Sequence, residues 1–214
     1  MKKRILTCLM AVSLLVSLLA VPVGAASVTK FSDVSDSYTA TAIETLRLMG
    51  VLDGYGDGTF RPDTVLNRAQ FCKMAVYAMD GSGELGRYST VTIFPDVKPS
   101  HWASAYINMA SKKGIISGFA DGKFKPGQTV TAGQAVTILM RGLGYKDEDM
   151  GGVWPQSYMA EAQTNGLLKS TGITSAYAGV TRAQAAKLFM NLFEAKHGKG
   201  DVLFSYSVGK DEVY

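Results

Sequence analysis

Histidine and cysteine are scarce in this chain of 214 residues, two of each, and the scarcity excludes much chemistry. His101 and His197 are far apart, and no cysteine or acidic cluster around them has metal-ligand spacing, so no metal centre is indicated. Cys8 lies in an apolar N-terminal run, which leaves Cys72 without a disulfide partner once that run is removed. A catalytic thiol needs an activating base, and no histidine recurs beside Cys72; it reads as a small core hydrophobe. The chain has no Gly-x-Ser-x-Gly elbow and no phosphate loop. Its acids are scattered without the pairing that glycoside hydrolysis uses. The segment Asp53-Gly54-Tyr55-Gly56-Asp57-Gly58 has the look of a calcium loop but lacks the third-position acid and the closing Glu. The reading is therefore of a protein that is not an enzyme and has no cofactor or metal.

Excess charge is missing as well. Lys2-Lys3-Arg4 precedes an apolar run from Ile5 to Val21 and a small-residue stretch ending in Ala25-Ala26, the pattern of a secretory signal peptide over 1–26. Setting those three cations aside takes Lys plus Arg from 22 to 19 against 18 acids, so the mature chain is nearly neutral. A nucleic-acid footprint, which needs clustered basic residues, is not visible. Beyond the signal, no run is long and apolar enough to span a bilayer, so no membrane contact is expected after cleavage.

What the chain does have is repetition. Leu66-Asn67-Arg68-Ala69-Gln70, Val130-Thr131-Ala132-Gly133-Gln134 and Val180-Thr181-Arg182-Ala183-Gln184 each put Asn or Thr three residues before Gln. That is the capping-box spacing, so three helices start by one device. Adding 64 superimposes the stretch from Gly50 to Pro62 on that from Gly114 to Pro126, and Phe31-Ser32-Asp33-Val34 matches Phe94-Pro95-Asp96-Val97. Tyr38, Trp102 and Trp154 share a column. The third copy keeps Gly166-Leu167 and its capping box but loses the Phe-x-Asp-Val opening and the Gly-x-Phe-x-Pro loop.

Apolar residues at helical spacing place a first helix at Ala40–Met49 in the first copy and at Trp102–Lys113 in the second, each ended by a glycine suited to a left-handed cap. Each copy is thus helix–loop–helix: 27–80, 94–145 and 146–195, with a linker at 81–93 and a tail at 196–214. Two short helices cannot bury their faces alone, so the copies pack on one another. The expectation is an all-α fold in which the three capped helices meet centrally and the first helices lie outside. The small column Ala69, Gly133, Ala183 suits close helix approach. The last capped helix, apolar nearly all round, is expected to be the most buried.

A helix start presents free amides and positive dipole charge, which suits a carboxylate. Arg68 and Arg182 at the first helical position add a fork for that group, and Tyr38, Trp102 and Trp154 are flat surfaces on which a sugar ring can lie. Together they describe a site for an acidic sugar. The competing reading pairs each arginine with Asp33 or Asp96 of a neighbouring copy and places the aromatics in the core.

The linked motifs resemble the S-layer homology module: Phe-x-Asp-Val, a His-Trp-Ala segment, Gly-Ile-x-x-Gly, Gly-x-Phe-x-Pro and a Thr-Arg-Ala-Glu-like helix start, over roughly 31–195. The resemblance implies a pseudo-threefold spindle with grooves between copies, secreted to the bacterial cell wall or S-layer surface. It also implies non-catalytic binding of an acidic, pyruvylated secondary wall polysaccharide. Carried over by position, the ligand-facing arginines are Arg68 and Arg182. Asn67, Thr131 and Thr181 at the helix starts, the three aromatics, Asp33, Asp96 and the loop glycines Gly54 and Gly118 complete the candidate site. Ala132 stands in the arginine column of the second copy, so the groove built on Thr131 is expected to bind weakly or not at all. Alternatives are a self-associating structural S-layer subunit and a binder of peptidoglycan itself. Such modules commonly carry a cargo domain; a longer parent protein and an anchor acting alone both remain open.

Overall fold

The computed structural model describes residues 31–79 and 83–195; the expected signal segment and the 196–214 tail lie outside these. Six helices follow in order: α1 Ser37–Leu48, α2 Arg68–Met79, α3 Ser104–Lys112, α4 Ala132–Gly142, α5 Gln156–Thr164 and α6 Arg182–Leu192. Besides two short 3-10 turns, the described residues hold isolated β-bridges but no strand, and the fold is all-α. No described helix is long and apolar enough to cross a membrane.

Local chemistry sets the helix ends. All three capping boxes form: Asn67 Oδ1 accepts from the Gln70 amide at 2.8 Å, and Thr131 and Thr181 cap α4 and α6 in the same way. Gly50 and Gly114, both at φ +72°, end α1 and α3, with the Val51 and Ile115 amides donating back to Leu46 and Ala110 at 2.9 Å. α1 begins three residues earlier than the apolar spacing alone indicates, because Asp36 accepts from the Thr39 amide at 2.9 Å as N-cap.

The copies close in a ring. The Leu66 amide donates to the Val180 carbonyl at 2.9 Å, Val180 to Val130 at 3.0 Å, and Val130 to Leu66 at 3.0 Å. These residues immediately precede the three caps and are buried, so the central helices start from one hydrogen-bonded triangle. α2 touches both α4 and α6, with the Phe71 and Phe189 rings 5.1 Å apart. Each outer helix covers the central helix of the preceding copy: α3 packs on α2, α5 on α4, and α1 on α6. The capped helices thus meet through α2, and each outer helix covers a neighbouring copy's capped helix and not its own.

Several expectations are corrected. α6 is less buried than α2 or α4, because Arg182, Gln184 and Lys187 keep one of its faces half-open. Gly133 makes room for the neighbouring copy rather than for a helix: an added Cβ would lie 2.7 Å from Pro155 Cβ and 3.2 Å from the Ala176 carbonyl. The expected linker is folded from 83 to 93. A 3-10 turn at Leu85–Tyr88 packs on α3, and buried Asn108 donates to the Tyr88 and Val91 carbonyls at 3.0 and 2.6 Å. Cys72 is a core residue as expected, its thiol pushed up to about 12 by burial.

Candidate functional site

From the first position of α2, Arg68 reaches across into the loop of the second copy. Its Nε donates to the Phe124 carbonyl at 2.8 Å and its Nη2 to the Ser117 carbonyl at 3.1 Å, with Cζ 4.4 Å above the Phe124 ring. Arg182 repeats this on the loop of the first copy, donating to Phe60 at 2.8 Å and Asp53 at 2.6 Å and lying 4.3 Å above the Phe60 ring. Burial pulls Arg68 down to about 10 and lowers Arg182, yet both remain cations at neutral pH. Neither Nη1 has a protein acceptor among the described residues.

Neither arginine pairs with Asp33 or Asp96. Asp33 instead accepts from the Phe60 and Arg61 amides at 2.8 and 2.7 Å, and Asp96 from those of Phe124 and Lys125 at 2.9 and 2.7 Å. Each carboxylate thereby holds a residue of its own loop in the left-handed region, Arg61 at φ +57° and Lys125 at φ +56°. The helix starts offer no free amides either. Arg68 and Ala69 donate to Gln128 and Pro126, Ala132 and Gly133 to Ala178 and Ala176, Arg182 and Ala183 to Thr64 and Pro62, and the third amide goes to the cap. Any anion here must be met by side chains.

Two grooves result. One, of about 420 Å³, runs along α4 between Arg68, Ser117, Gly118, Gln134 and Trp154. The other, of about 290 Å³, runs along α2 between Arg182, Asp53, Gln70, Lys73 and Trp102. Both indoles are about half exposed, Trp102 beside His101 and Trp154 donating to Thr137 at 2.9 Å. Each groove therefore draws on three copies: an arginine from one, a central helix and loop, and an aromatic from the next.

Residues 30–72 and 93–136 match the S-layer homology domain. The chain belongs to the S-layer homology family. It is similar to a cell surface protein of Thermoanaerobacter kivui, 37% identical over 76% of this chain and 21% of the relative. It also resembles a cellulosome-anchoring protein of Acetivibrio thermocellus, 32% identical over 53% of this chain and 26% of that protein. An uncharacterized cell wall amidase of Bacillus anthracis is 29% identical over 86% of this chain and 36% of the relative. The chain thus spans about a quarter or less of the first two. These likenesses place it at the cell surface, in association with the cell wall.

The third copy lies outside both matched stretches, and its interface with the first S-layer homology copy differs from the other two. Tyr38 donates to Asn191 at 2.6 Å, and Asn191 is buried with its amide on the Leu167 and Lys169 carbonyls at 2.9 and 2.7 Å. Lys187 pairs with Asp36 at 3.4 Å. Tyr38 is therefore a tether between copies, as Trp154 is through Thr137, but unlike the two tryptophans it is not an exposed face. Ala132 meets the third copy from the other side, from the second copy, since its amide docks on Ala178 of the third loop. The groove along Thr131 and α4 takes its arginine from α2, so the position lacking arginine belongs to α6 and not, as expected, to α4. The position without an arginine and the shortened third loop are thus the two halves of one contact.

The loop glycines have a steric role. A Cβ on Gly54 would lie 2.0 Å from the Phe31 ring, and one on Gly118 would lie 2.6 Å from the Phe94 ring and 3.0 Å from the Lys123 carbonyl. In the Asp53–Gly58 segment, Asp57 is taken up by the Thr59 amide and by Arg61, both at 3.0 Å. Sequence reasoning missed Ser117, Thr137 and Lys73 as groove residues. Their only signal was being one helical turn or one loop step from the motifs.

Proposed function

We propose that the chain is a non-catalytic wall anchor that holds an acidic secondary wall polysaccharide in the grooves along α2 and α4. The observation that carries this reading is the pairing, twice over, of a guanidinium whose Nη1 has no acceptor among the described residues with a half-exposed indole: Arg182 with Trp102, Arg68 with Trp154. An arginine fork suits a planar carboxylate, and an indole face suits the apolar side of a sugar ring. The family membership and the relative named as cellulosome-anchoring point the same way.

The test is retention of the full chain on purified cell walls, before and after acid extraction of the non-peptidoglycan polymer. Trp102→Ala and Trp154→Ala should each weaken retention about tenfold, near 1.4 kcal/mol, and the double variant should abolish it with the fold intact. Retention that survives in the double variant would overturn the reading. Retention that survives extraction would move the ligand to peptidoglycan.

A further inference from the structure

The groove along α4 contains a second guanidinium that the anchor reading does not use. Arg141, at the end of α4, has only 18% of its side chain exposed, and it meets Asp147 of the Asp147–Asp149 turn in a fork. Nε and Nη2 lie 3.0 and 2.9 Å from Asp147 Oδ1, and Nη2 lies 2.7 Å from Oδ2. The Tyr158 hydroxyl, on α5, donates to the same Oδ1 at 2.5 Å. Arg141 Nη1 donates to the Ser117 hydroxyl at 2.9 Å, while the Ser117 carbonyl takes Arg68 at 3.1 Å. One serine therefore links the two guanidinium groups of this groove.

The corresponding place between α2 and α3 shows what is unusual. Tyr77 and Tyr106 occupy the columns of Arg141 and Tyr158, and their hydroxyls meet directly at 3.2 Å with no third group between them. Between α4 and α5 a carboxylate has been inserted, and three donors converge on it. Such convergence is the geometry of a carboxylate receptor. Its occupant has a 66% exposed side chain on a three-residue turn, whereas the receptor is built on two helices.

We propose that Arg141 and Tyr158 form a carboxylate-binding subsite beside Arg68, held closed by Asp147, which an acidic group of the ligand displaces. The exchange replaces one charge-assisted carboxylate contact by another, so the half-buried guanidinium is never left unpaired. Asp147 competes as a tethered group at high effective concentration. A free carboxylate wins only with the help of neighbouring contacts such as Trp154 and Arg68. The α2 groove has Tyr77 in the Arg141 column and no such gate, so the two grooves differ in threshold. This gating rests on the anchor reading for its biological ligand, but the subsite is testable without it.

The experiment uses the full chain with Trp102→Phe, which leaves Trp154, inside the α4 groove, as the sole indole. Sodium pyruvate is titrated while Trp154 emission is followed. Asp147→Ala should tighten binding at least about tenfold relative to the Trp102→Phe parent, and adding Arg141→Gln should remove the gain. Asp147→Asn, which keeps the side-chain shape, should give a smaller gain in the same direction and decides the matter if Asp147→Ala disturbs the fold. Unchanged or weaker pyruvate binding in a folded Asp147 variant overturns the proposal and makes Asp147 a fixed groove wall. Wall retention of Asp147→Ala made in the chain that keeps Trp102 separates the two ideas: tighter pyruvate binding without wall retention would sink the anchor reading and leave the subsite standing.

Discussion

The proposed function gives Arg68 two roles, one in the fold and one toward the ligand, and comparison with Trp102 separates them. Arg68→Ala removes donors from the Phe124 and Ser117 carbonyls, and leaving such acceptors unpaired in a largely buried place costs about 1–3 kcal/mol. Arg68→Lys should rescue little, because one ammonium cannot reproduce a planar fork on two carbonyls. A urea melt should therefore show a lower midpoint for both variants, whereas Trp102→Ala, an exposed change, should move stability by no more than about 0.5 kcal/mol. An unshifted midpoint in Arg68→Ala would mean the cross-copy contact is not holding the loop. The place of Arg68 at a helix start was legible in the sequence, since Asn67 and Gln70 are local neighbours. Its partners, 49 and 56 positions away, were not. Nor could the sequence show that Ala132 and the shortened third loop are in contact, because they face each other only through the ring.

At the scale of elements, α1 depends on a single carboxylate. The hydroxyl and amide of Thr39 together with Lys187 hold Asp36 down to about 2. A carboxylate whose folded value is depressed stabilises the fold fully above its unfolded value near 4, and that contribution disappears as pH falls toward 2. Amide contacts lower Asp33 in the same direction, and Asp96 is lowered by Phe124 and Lys125 against the opposing effect of burial. Thermal melts should accordingly fall between pH 5 and pH 2, and Asp36→Asn should show a shallower fall than the parent. Equal slopes would remove Asp36 from the account. α1 is also where the periodic pattern was least informative: Ile43 and Leu46 marked its apolar face, but the start at Ser37 was set by an Asp that no repeat motif singles out.

Across the whole molecule, the arrangement is a closed ring and not a line of units. In a linear stack, stability is a sum of repeats and their neighbour contacts, and a shortened array still folds. Here a chain of residues 27–145 would strip α4 of α5 and α1 of α6. It would also deprive the Ala132 and Gly133 amides of the Ala178 and Ala176 carbonyls, and Leu66 of Val180. Both stretches that match the S-layer homology domain would be present in that fragment, yet neither groove-bearing central helix would keep its full set of neighbours. The expected outcome is that the fragment shows no cooperative urea transition, while the full chain unfolds in one step with far-UV circular dichroism and tryptophan emission coincident. A fragment that melts cooperatively close to the parent midpoint would show that the ring is dispensable. The third copy would then owe its place to the groove it completes with Trp154, and not to the fold.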